Sequence, residues 1–362
     1  MRQPGSRADR GAALALVVWG LVVGGALLTV VTLLAVQEQR AAGALRQEER
    51  GLVGAERVGA ELLAGLRVGT LRVALPRAFD SLPLNAGADW SAVVRRLTAD
   101  VVLLEVAPRR PEGPASREAA TVRLGWLLHP VPDSVAVLAA VSVGGPVALG
   151  DEVVISGADS PVSGGDSCPS PDSAIAGIAA PEVSLTGSAQ LAGSPPELSR
   201  DTSDLAAFDV LSSRATLVLP GGSYTTSPAT VGTSCDLQSK TNWGDPGGSG
   251  RPCGQYLPVV RIEGDLMLDG GVGQGILLVN GDLHVRSAFT FHGILIVKGA
   301  VDITAPTDVR GILAAARLRS GADPVTQLKV HYSKCIVSND LKTAASFSPL
   351  SSRAWIPLFQ AP

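Results

Sequence analysis

Apolar residues follow three different patterns along the 362-residue chain, and each pattern predicts a different kind of structure. Residues 11–36 form an apolar run whose only polar groups are two Thr hydroxyls and one indole. A helix rises about 1.5 Å per residue, so the run is long enough to cross a hydrocarbon core of roughly 30 Å. Residues 1–10 carry three arginines, whereas the residues after the run carry both signs of charge. This asymmetry predicts a single-pass anchor with a cytoplasmic N-terminus.

A cleaved secretory signal is the alternative for this segment. The apolar part of a signal peptide spans about 7–15 residues and ends at small residues. Here the run is longer and continues into Gln37-Glu38-Gln39-Arg40. The length and the charged exit favour an anchor that is not removed.

The residues after the anchor predict that the helix continues outside the membrane. Residues 37–69 lack proline, are rich in good helix formers and carry an intermittent apolar stripe that includes Leu52, Leu62 and Leu66. Several glycines, such as Gly43 and Gly54, weaken this pattern. We expect one helical rod of almost 60 residues.

Short alternating segments replace the helical pattern from residue 70 onward. They predict a small antiparallel sheet, with a helix at 89–98 where Trp90, Val93, Val94 and Leu97 fall on one helical face. The predicted strands are 70–75, 100–106, 121–128, 134–143 and 152–156. Residues 157–205 are dominated by Ser, Gly, Pro, Ala and Asp, which indicates a solvated linker. The acidic residues there lack the spacing of a calcium loop.

The third pattern is an 18-residue repeat beyond residue 257. The segments that begin at Gly275, Gly293 and Gly311 share the start Gly-Ile-Leu, and apolar pairs recur between them at steps of 7, 6 and 5. Three short strands per repeat predict a β-solenoid with about 18 residues per coil. A β-meander with equal strand lengths is the alternative. Both ends of such a stack need covering, and the candidates are residues 235–256 and the tail at 355–359.

Four cysteines lie beyond the anchor, and an even number in an exported region predicts disulfides. Three connectivities are open. Cys235–Cys253 is the first choice because it closes a Gly- and Pro-rich loop, and this choice leaves Cys168 with Cys335. A zinc site is disfavoured because the chain has no Cys-x-x-Cys pair.

Composition and motifs argue against two broad classes of function. The net charge is −3, aromatic residues make up 4% of the chain and no basic stripe is present, so no nucleic-acid partner is expected. The four histidines are scattered and no hydrolase, zinc-protease or phosphate-loop motif occurs. We therefore expect no catalytic, cofactor or metal residues. The best enzyme alternative is a β-helical polysaccharide lyase or hydrolase that uses the recurring carboxylates Asp265, Asp282 and Asp302.

Several short motifs resemble known pilus proteins. The N-terminal 60 residues resemble PilX-type pilus assembly proteins, which are minor pilin-like components of type IV pilus systems, through Arg10-Gly11-Ala12-Ala13-Leu14, Arg40-Ala41-Ala42-Gly43 and Gly54-Ala55-Glu56. A later set is similar to C-terminal regions of pilus-assembly-like proteins of Gram-negative, high-GC bacteria: Asn242-Trp243-Gly244-Asp245-Pro246, Cys253-Gly254 and Tyr332-Ser333-Lys334-Cys335.

The resemblance implies a location, partners and a processing site. The protein would be a single-pass protein of the bacterial inner membrane with a periplasmic C-terminus, able to enter a surface filament by packing against other pilins or pilus assembly proteins. A prepilin-type peptidase would cut between Gly11 and Ala12. The fifth residue of that product is Leu16, where major pilins carry Glu. Leu16 favours the alternative of a static, membrane-anchored adhesin or envelope scaffold whose surface ligand is unknown.

The predicted fold class is membrane-anchored α+β: a long N-terminal transmembrane and amphipathic helix, a small antiparallel sheet head and a C-terminal β-solenoid. The predicted parts are a basic leader (1–10), a transmembrane helix (11–36), an amphipathic extension (37–69), a pilin-like α/β head (70–156), a Ser/Gly/Pro/Asp-rich β and linker region with the disulfide loop (157–256), solenoid coils (257–319) and a C-terminal cap and tail (320–362).

Overall fold

The computed structural model describes residues 8–75, 77–98, 100–109, 123–132, 135–160, 174–200, 205–248, 250–319, 324–350 and 355–357. Its first element is α1, Ala8–Gly65, an unbroken helix of 58 residues. The apolar run and the polar segment after it therefore form one rod, as the helix-forming composition predicts. A second helix, α2, Val68–Ala74, follows after a short break.

An antiparallel sheet of six strands lies against the C-terminal half of α1. Its order is β1-β2-β3-β4-β20, and β21 also pairs with β4. The strands are β1 Ser81–Leu84, β2 Trp90–Arg96, β3 Val102–Pro108, β4 Leu124–Val131, β20 Ser346–Pro349 and β21 Trp355–Pro357. The last two come from the end of the chain, so this sheet joins residues more than 200 positions apart in sequence.

Two local predictions in this region are wrong. The helix predicted at 89–98 is β2, in which Ala92 and Val94 are buried and Ser91 and Arg95 are exposed. The apolar positions fit either period, and pairing with both β1 and β3 selects the strand. Conversely, the strand predicted at 70–75 lies largely within the helix α2.

The helical form of α2 follows from the spacing of its apolar residues. Val68, Leu71 and Leu75 are three and four positions apart, so a helix places all three on one side. Leu71 and Leu75 are buried there, in the core between α1 and the antiparallel sheet.

Strands between residues 139 and 331 build a parallel sheet of eleven strands. Its main path is β10-β7-β19-β18-β17-β16-β15-β12, while β5 pairs with β18 and β8, and β8 pairs with β11. The strands are β5 Ala139–Val143, β7 Val154–Ser156, β8 Ala176–Ala180, β10 Gln190–Ala192, β11 Glu197–Ser199, β12 Leu217–Thr226, β15 Val259–Val279, β16 Leu283–Val285, β17 Phe289–Ile303, β18 Thr307–Arg319 and β19 Leu328–His331.

Four short strands and two helices complete the described elements. β6 Val147–Leu149 pairs in parallel with β9 Val183–Leu185, and β13 Thr230–Val231 pairs antiparallel with β14 Ser234–Cys235. Helix α3, Ala207–Ser212, lies against β15, and α4, Lys334–Ala344, connects β19 to β20.

The 18-residue spacing appears directly in the strand register. Gly275 pairs with Gly293, and Gly293 pairs with Gly311. The three glycines have φ angles of 94°, 152° and 138°, and a Cβ on Gly293 or Gly311 would collide with the carbonyl oxygen of the preceding glycine. Close stacking and a left-handed backbone therefore require glycine at the start of each repeat.

Several strands of the parallel sheet come from the segments that were expected to form the antiparallel head and the linker. β5 and β7, expected in the antiparallel head, pair with β18 and β19. β8, β10 and β11 of this sheet lie within the stretch interpreted as linker. These strands have three to five residues and are rich in Ala, Gly and Ser, so they show little hydrophobic alternation. They form through parallel pairing with other short strands: β8 pairs with β5 and β11, and β10 pairs with β7.

Candidate functional site

The N-terminal part of α1 carries most of the exposed large apolar side chains of the described residues. Leu14, Trp19 and Leu21 have exposed fractions of 69%, 68% and 71%. One helix of the described chain, over Leu16–Gly43, is long and apolar enough to cross a membrane. A contiguous apolar surface of this kind is typical of a membrane segment or of a surface that packs against other proteins.

The two Thr hydroxyls inside this surface are hydrogen-bonded to the helix itself. The Thr29 hydroxyl donates to the carbonyl oxygen of Gly25 at 2.7 Å, and the Thr32 hydroxyl donates to that of Leu28 at 2.9 Å. Lipid and tightly packed helices both supply few hydrogen-bonding partners, so these internal bonds suit either environment.

The C-terminal half of α1 packs closely against the antiparallel sheet at two glycines. A Cβ on Gly54 would lie 2.6 Å from Cζ2 of Trp90, and a Cβ on Gly59 would collide with the indole of Trp126. Each ring occupies the space that a side chain on the helix would need. Ala55 and Val58, between the two glycines, are buried in the same core. From the sequence alone Gly54 is expected only to weaken the helix, because the tryptophan that packs against it lies on a strand far away in sequence.

The predicted processing site lies near the start of this helix. Gly11 and Ala12 belong to the first turns of α1, which begins at Ala8. Their helical backbone continues without a break into the exposed apolar segment, so the bond between them lies at the N-terminal end of that surface.

Cys235 and Cys253 form a disulfide with a Cα–Cα distance of 4.8 Å. The loop between them inserts Trp243, which is fully buried in the core of the parallel sheet, near Tyr224 of the edge strand β12. Gln274 of β15 holds the loop by donating from Nε2 to the carbonyl oxygens of Cys253 and Tyr256 at 3.1 and 2.9 Å. The loop therefore covers the core beside β12.

The remaining cysteines are only partly described. Cys335, in the first turn of α4, is disulfide-bonded. Cys168, its expected partner, lies outside the described residues. The tail that was a candidate cover contributes β21 to the antiparallel sheet, and residues 358–359 lie outside the described part of the chain.

The carboxylates of the enzyme alternative have structural partners. Asp265 accepts a hydrogen bond from the backbone N–H of Asp282, and Asp282 accepts one from that of Ala300, both at 2.8 Å. These two side chains thus link successive repeats. Asp302 lies 3.5 Å from Nδ1 of His284. Within the described ranges, no group of three or more His, Cys, Asp or Glu side chains is placed to hold a metal ion.

His292 is the histidine whose electrostatics are most altered. Burial and the nearby Arg310 guanidinium lower its pKa to about 4, while Asp308 acts in the opposite direction. The imidazole is therefore neutral near pH 7. It lies next to Gly293 on β17, in the parallel sheet.

A buried carboxylate that the sequence analysis did not single out lies on α4. Asp340 is 1% exposed, and neither carboxylate oxygen has a hydrogen-bond partner in the structure as described. Its neighbours in sequence, Asn339 and Lys342, are polar, so the sequence alone indicates an ordinary surface helix.

Comparison of the chain with protein-family models, with curated proteins and with solved structures gave no match in any of the three.

Proposed function

We propose that the protein is a non-enzymatic, pilin-like component of a type IV pilus or a related secretion filament. It packs through the N-terminal half of α1 and carries its two sheets outside the inner membrane. The observation that supports this function best is the division of α1 into an exposed apolar half and a half that is fixed to an antiparallel sheet. The PilX-type motifs in the first 60 residues point the same way.

The exposed half of α1 needs a covering partner, because the apolar side chains of Leu14 and of residues 16–36 are largely exposed in the described structure. Before assembly, lipid would cover them, with the three N-terminal arginines holding the start of the chain in the cytoplasm. In a filament, the corresponding helices of other pilins would cover them. The chain would then exchange one apolar environment for another at low cost.

The parallel sheet would be the part presented outside. We propose that it is a β-solenoid with 18 residues per coil, which the register Gly275–Gly293–Gly311 supports. A rigid stack of this kind, covered beside β12 by the disulfide loop, suits a protein exposed to an oxidising exterior.

The second candidate is a static membrane-anchored surface protein. Leu16 favours this candidate, because major pilins carry Glu at the corresponding position and bury its carboxylate, and this chain has no carboxylate there. In this alternative, α1 stays in the membrane and the parallel sheet serves as an adhesin or an envelope scaffold.

The N-terminus of the protein distinguishes the two candidates. The protein is isolated from the membranes and from the sheared filaments of the bacterium that produces it, and the N-terminal peptide is identified by mass spectrometry. We expect an N-methylated form that begins at Ala12 in the filament fraction. The matched control, Gly11→Val, places a branched side chain at the cleaved bond and should stay at full length in the membrane. An intact Met1 form that never enters sheared filaments would contradict the proposal.

A further inference from the structure

Helix α4 is one of the connections between the two sheets. It leaves the parallel sheet at β19 and enters the antiparallel sheet at β20. One side of α4 contacts α2, and another contacts β15, β17 and β18. Two glycines allow this close packing: a Cβ on Gly69 of α2 would lie 2.8 Å from Cγ2 of Thr343, and a Cβ on Gly293 would lie 2.7 Å from Oδ2 of Asp340.

Asp340 therefore lies in the contact between α4 and the parallel sheet. Its side chain is enclosed, and both carboxylate oxygens lack a hydrogen-bond partner in the part of the chain that is described. An ionised carboxylate in such a place costs several kcal/mol in lost hydration. A neutral carboxyl group costs much less and can donate one hydrogen bond.

The charged groups around α4 compensate this burial only partly. Arg72 of α2 is the charged group that acts on Asp340, and its Nη1 donates to Asn339 Oδ1 at 2.5 Å and to Thr343 Oγ1 at 3.2 Å. On the side of the parallel sheet, β17 brings His292, which is neutral near pH 7, and β18 brings Arg310, which acts on His292. Burial outweighs Arg72, and the pKa of Asp340 is well above its usual value.

A cavity of about 40 Å³ lies where α2, the antiparallel sheet and the last turn of α4 meet. It is lined by Leu71, Arg72, Lys342 and Phe347, among others. This volume is enough for water to enter beside the helix. Water can therefore reach α4 from this side when the helix separates slightly from its neighbours.

We propose that Asp340 is a pH-sensitive latch: its neutral carboxyl group keeps α4 docked between α2 and the glycine column of the parallel sheet, and its ionisation loosens α4 and frees the two sheets to move. The latch goes beyond the proposed pilin-like role and holds for either candidate function, because it depends only on the contacts of α4.

The direction of the pH effect follows from linkage. A carboxyl group with a raised pKa in the folded state stabilises docking fully below its free pKa of about 3.9 and loses this contribution as pH rises to the raised value. Within that window the opening equilibrium of α4 increases about tenfold per pH unit, and above it the loss is complete.

Hydrogen exchange of the α4 amides tests the latch in the full-length protein in detergent. Exchange is followed by mass spectrometry from pH 3.5 to 9 and corrected for the intrinsic pH dependence of amide exchange. In the wild-type protein we expect α4 opening to increase about tenfold per pH unit above pH 4 and then to level off. Asp340→Asn keeps the shape and removes the charge, so its corrected profile should be flat and protected.

Two further variants complete the test. Asp209→Asn makes the same chemical change at an exposed side chain on α3 and should retain the wild-type profile. Arg72→Met removes the cation that favours ionisation, so the levelling-off should move to higher pH, and this readout remains if Asp340→Asn does not fold. A flat wild-type profile, or an Asp340→Asn profile with the wild-type slope, would overturn the latch. So would an Arg72→Met profile that levels off at the same pH as the wild type.

Discussion

The indole of Trp90 occupies the space that a side chain on residue 54 would need, so that a Cβ on Gly54 would lie 2.6 Å from Cζ2 of the ring. This contact, with its counterpart between Gly59 and Trp126, is where a helix that projects from the protein is fixed to a folded sheet. A side chain at either glycine would favour the helix but would clash with a tryptophan ring. Substitutions at these two positions therefore test the packing directly.

We expect Gly54→Ala and Gly59→Ala to destabilise the protein. Alanine would favour the helix by about 1 kcal/mol, but the clash with a ring that is partly buried costs about 1–3 kcal/mol. Thermal unfolding in detergent, followed by tryptophan fluorescence, measures the balance. Gly43→Ala is the matched control, because nothing lies within 4 Å of a Cβ there and the variant should gain stability. Equal stability of all three variants would refute this packing.

The glycine column of the parallel sheet gives a second prediction. Gly293→Ala introduces a Cβ at a φ of 152°, against the carbonyl oxygen of Gly275 and Oδ2 of Asp340. We expect a loss of at least about 2 kcal/mol in the free energy of unfolding, or failure to fold. Gly250→Ala has open space and should change stability by less than about 0.5 kcal/mol. Chemical denaturation followed by circular dichroism compares the two. A tolerated Gly293→Ala would mean that the strands do not stack in the observed register.

The disulfide loop gives a third prediction. The double variant Cys235→Ser, Cys253→Ser should lose about 3 kcal/mol, since the bond closes a loop with a sequence separation of 18. Its non-reducing peptide map should lose the fragment that joins the two positions and keep the disulfide of Cys335. A wild-type map in which Cys235 or Cys253 is joined to another cysteine would contradict the structure.

The altered pKa of His292 gives a fourth prediction. Burial lowers this pKa from 6.5 to about 4, so the unfolded chain takes up a proton at a higher pH than the folded protein does. The contribution of His292 is complete above pH 6.5 and is lost as pH falls toward 4, by roughly 3 kcal/mol. The difference in unfolding free energy between wild type and His292→Gln, measured from pH 4 to 7.5, isolates this effect from the opposite effect of Asp340. A difference that is independent of pH would show that His292 is not held neutral.

The parts of the structure that the sequence predicts are those with a strong local signal. The charge-free run and the helix formers after it predict α1, and the recurring Gly275, Gly293 and Gly311 predict three strands in register. The spacing of Cys235 and Cys253 around a glycine-rich loop is equally local. Each of these signals is read within a few tens of residues.

The elements that the sequence does not predict depend on residues that are far from them in the sequence. β5 and β8 are short and rich in alanine, and pairing with β18 and with each other gives them their form. β2 has apolar positions that fit both helical and strand periods until its neighbours are known. The buried position of Asp340 depends on α2 and β17, which lie far from it in sequence.

Photo-crosslinking from the exposed half of α1 tests the central proposal most directly. A benzophenone amino acid is placed at Leu21, which is 71% exposed, in the full-length protein of the producing bacterium, and sheared filaments are irradiated. The account predicts crosslinks from this position to the N-terminal helices of other pilins, while the same probe at the exposed Asp209 gives none to those helices. The account would be contradicted if the filaments lacked this protein and if its crosslinks in the membrane fraction were to lipid alone.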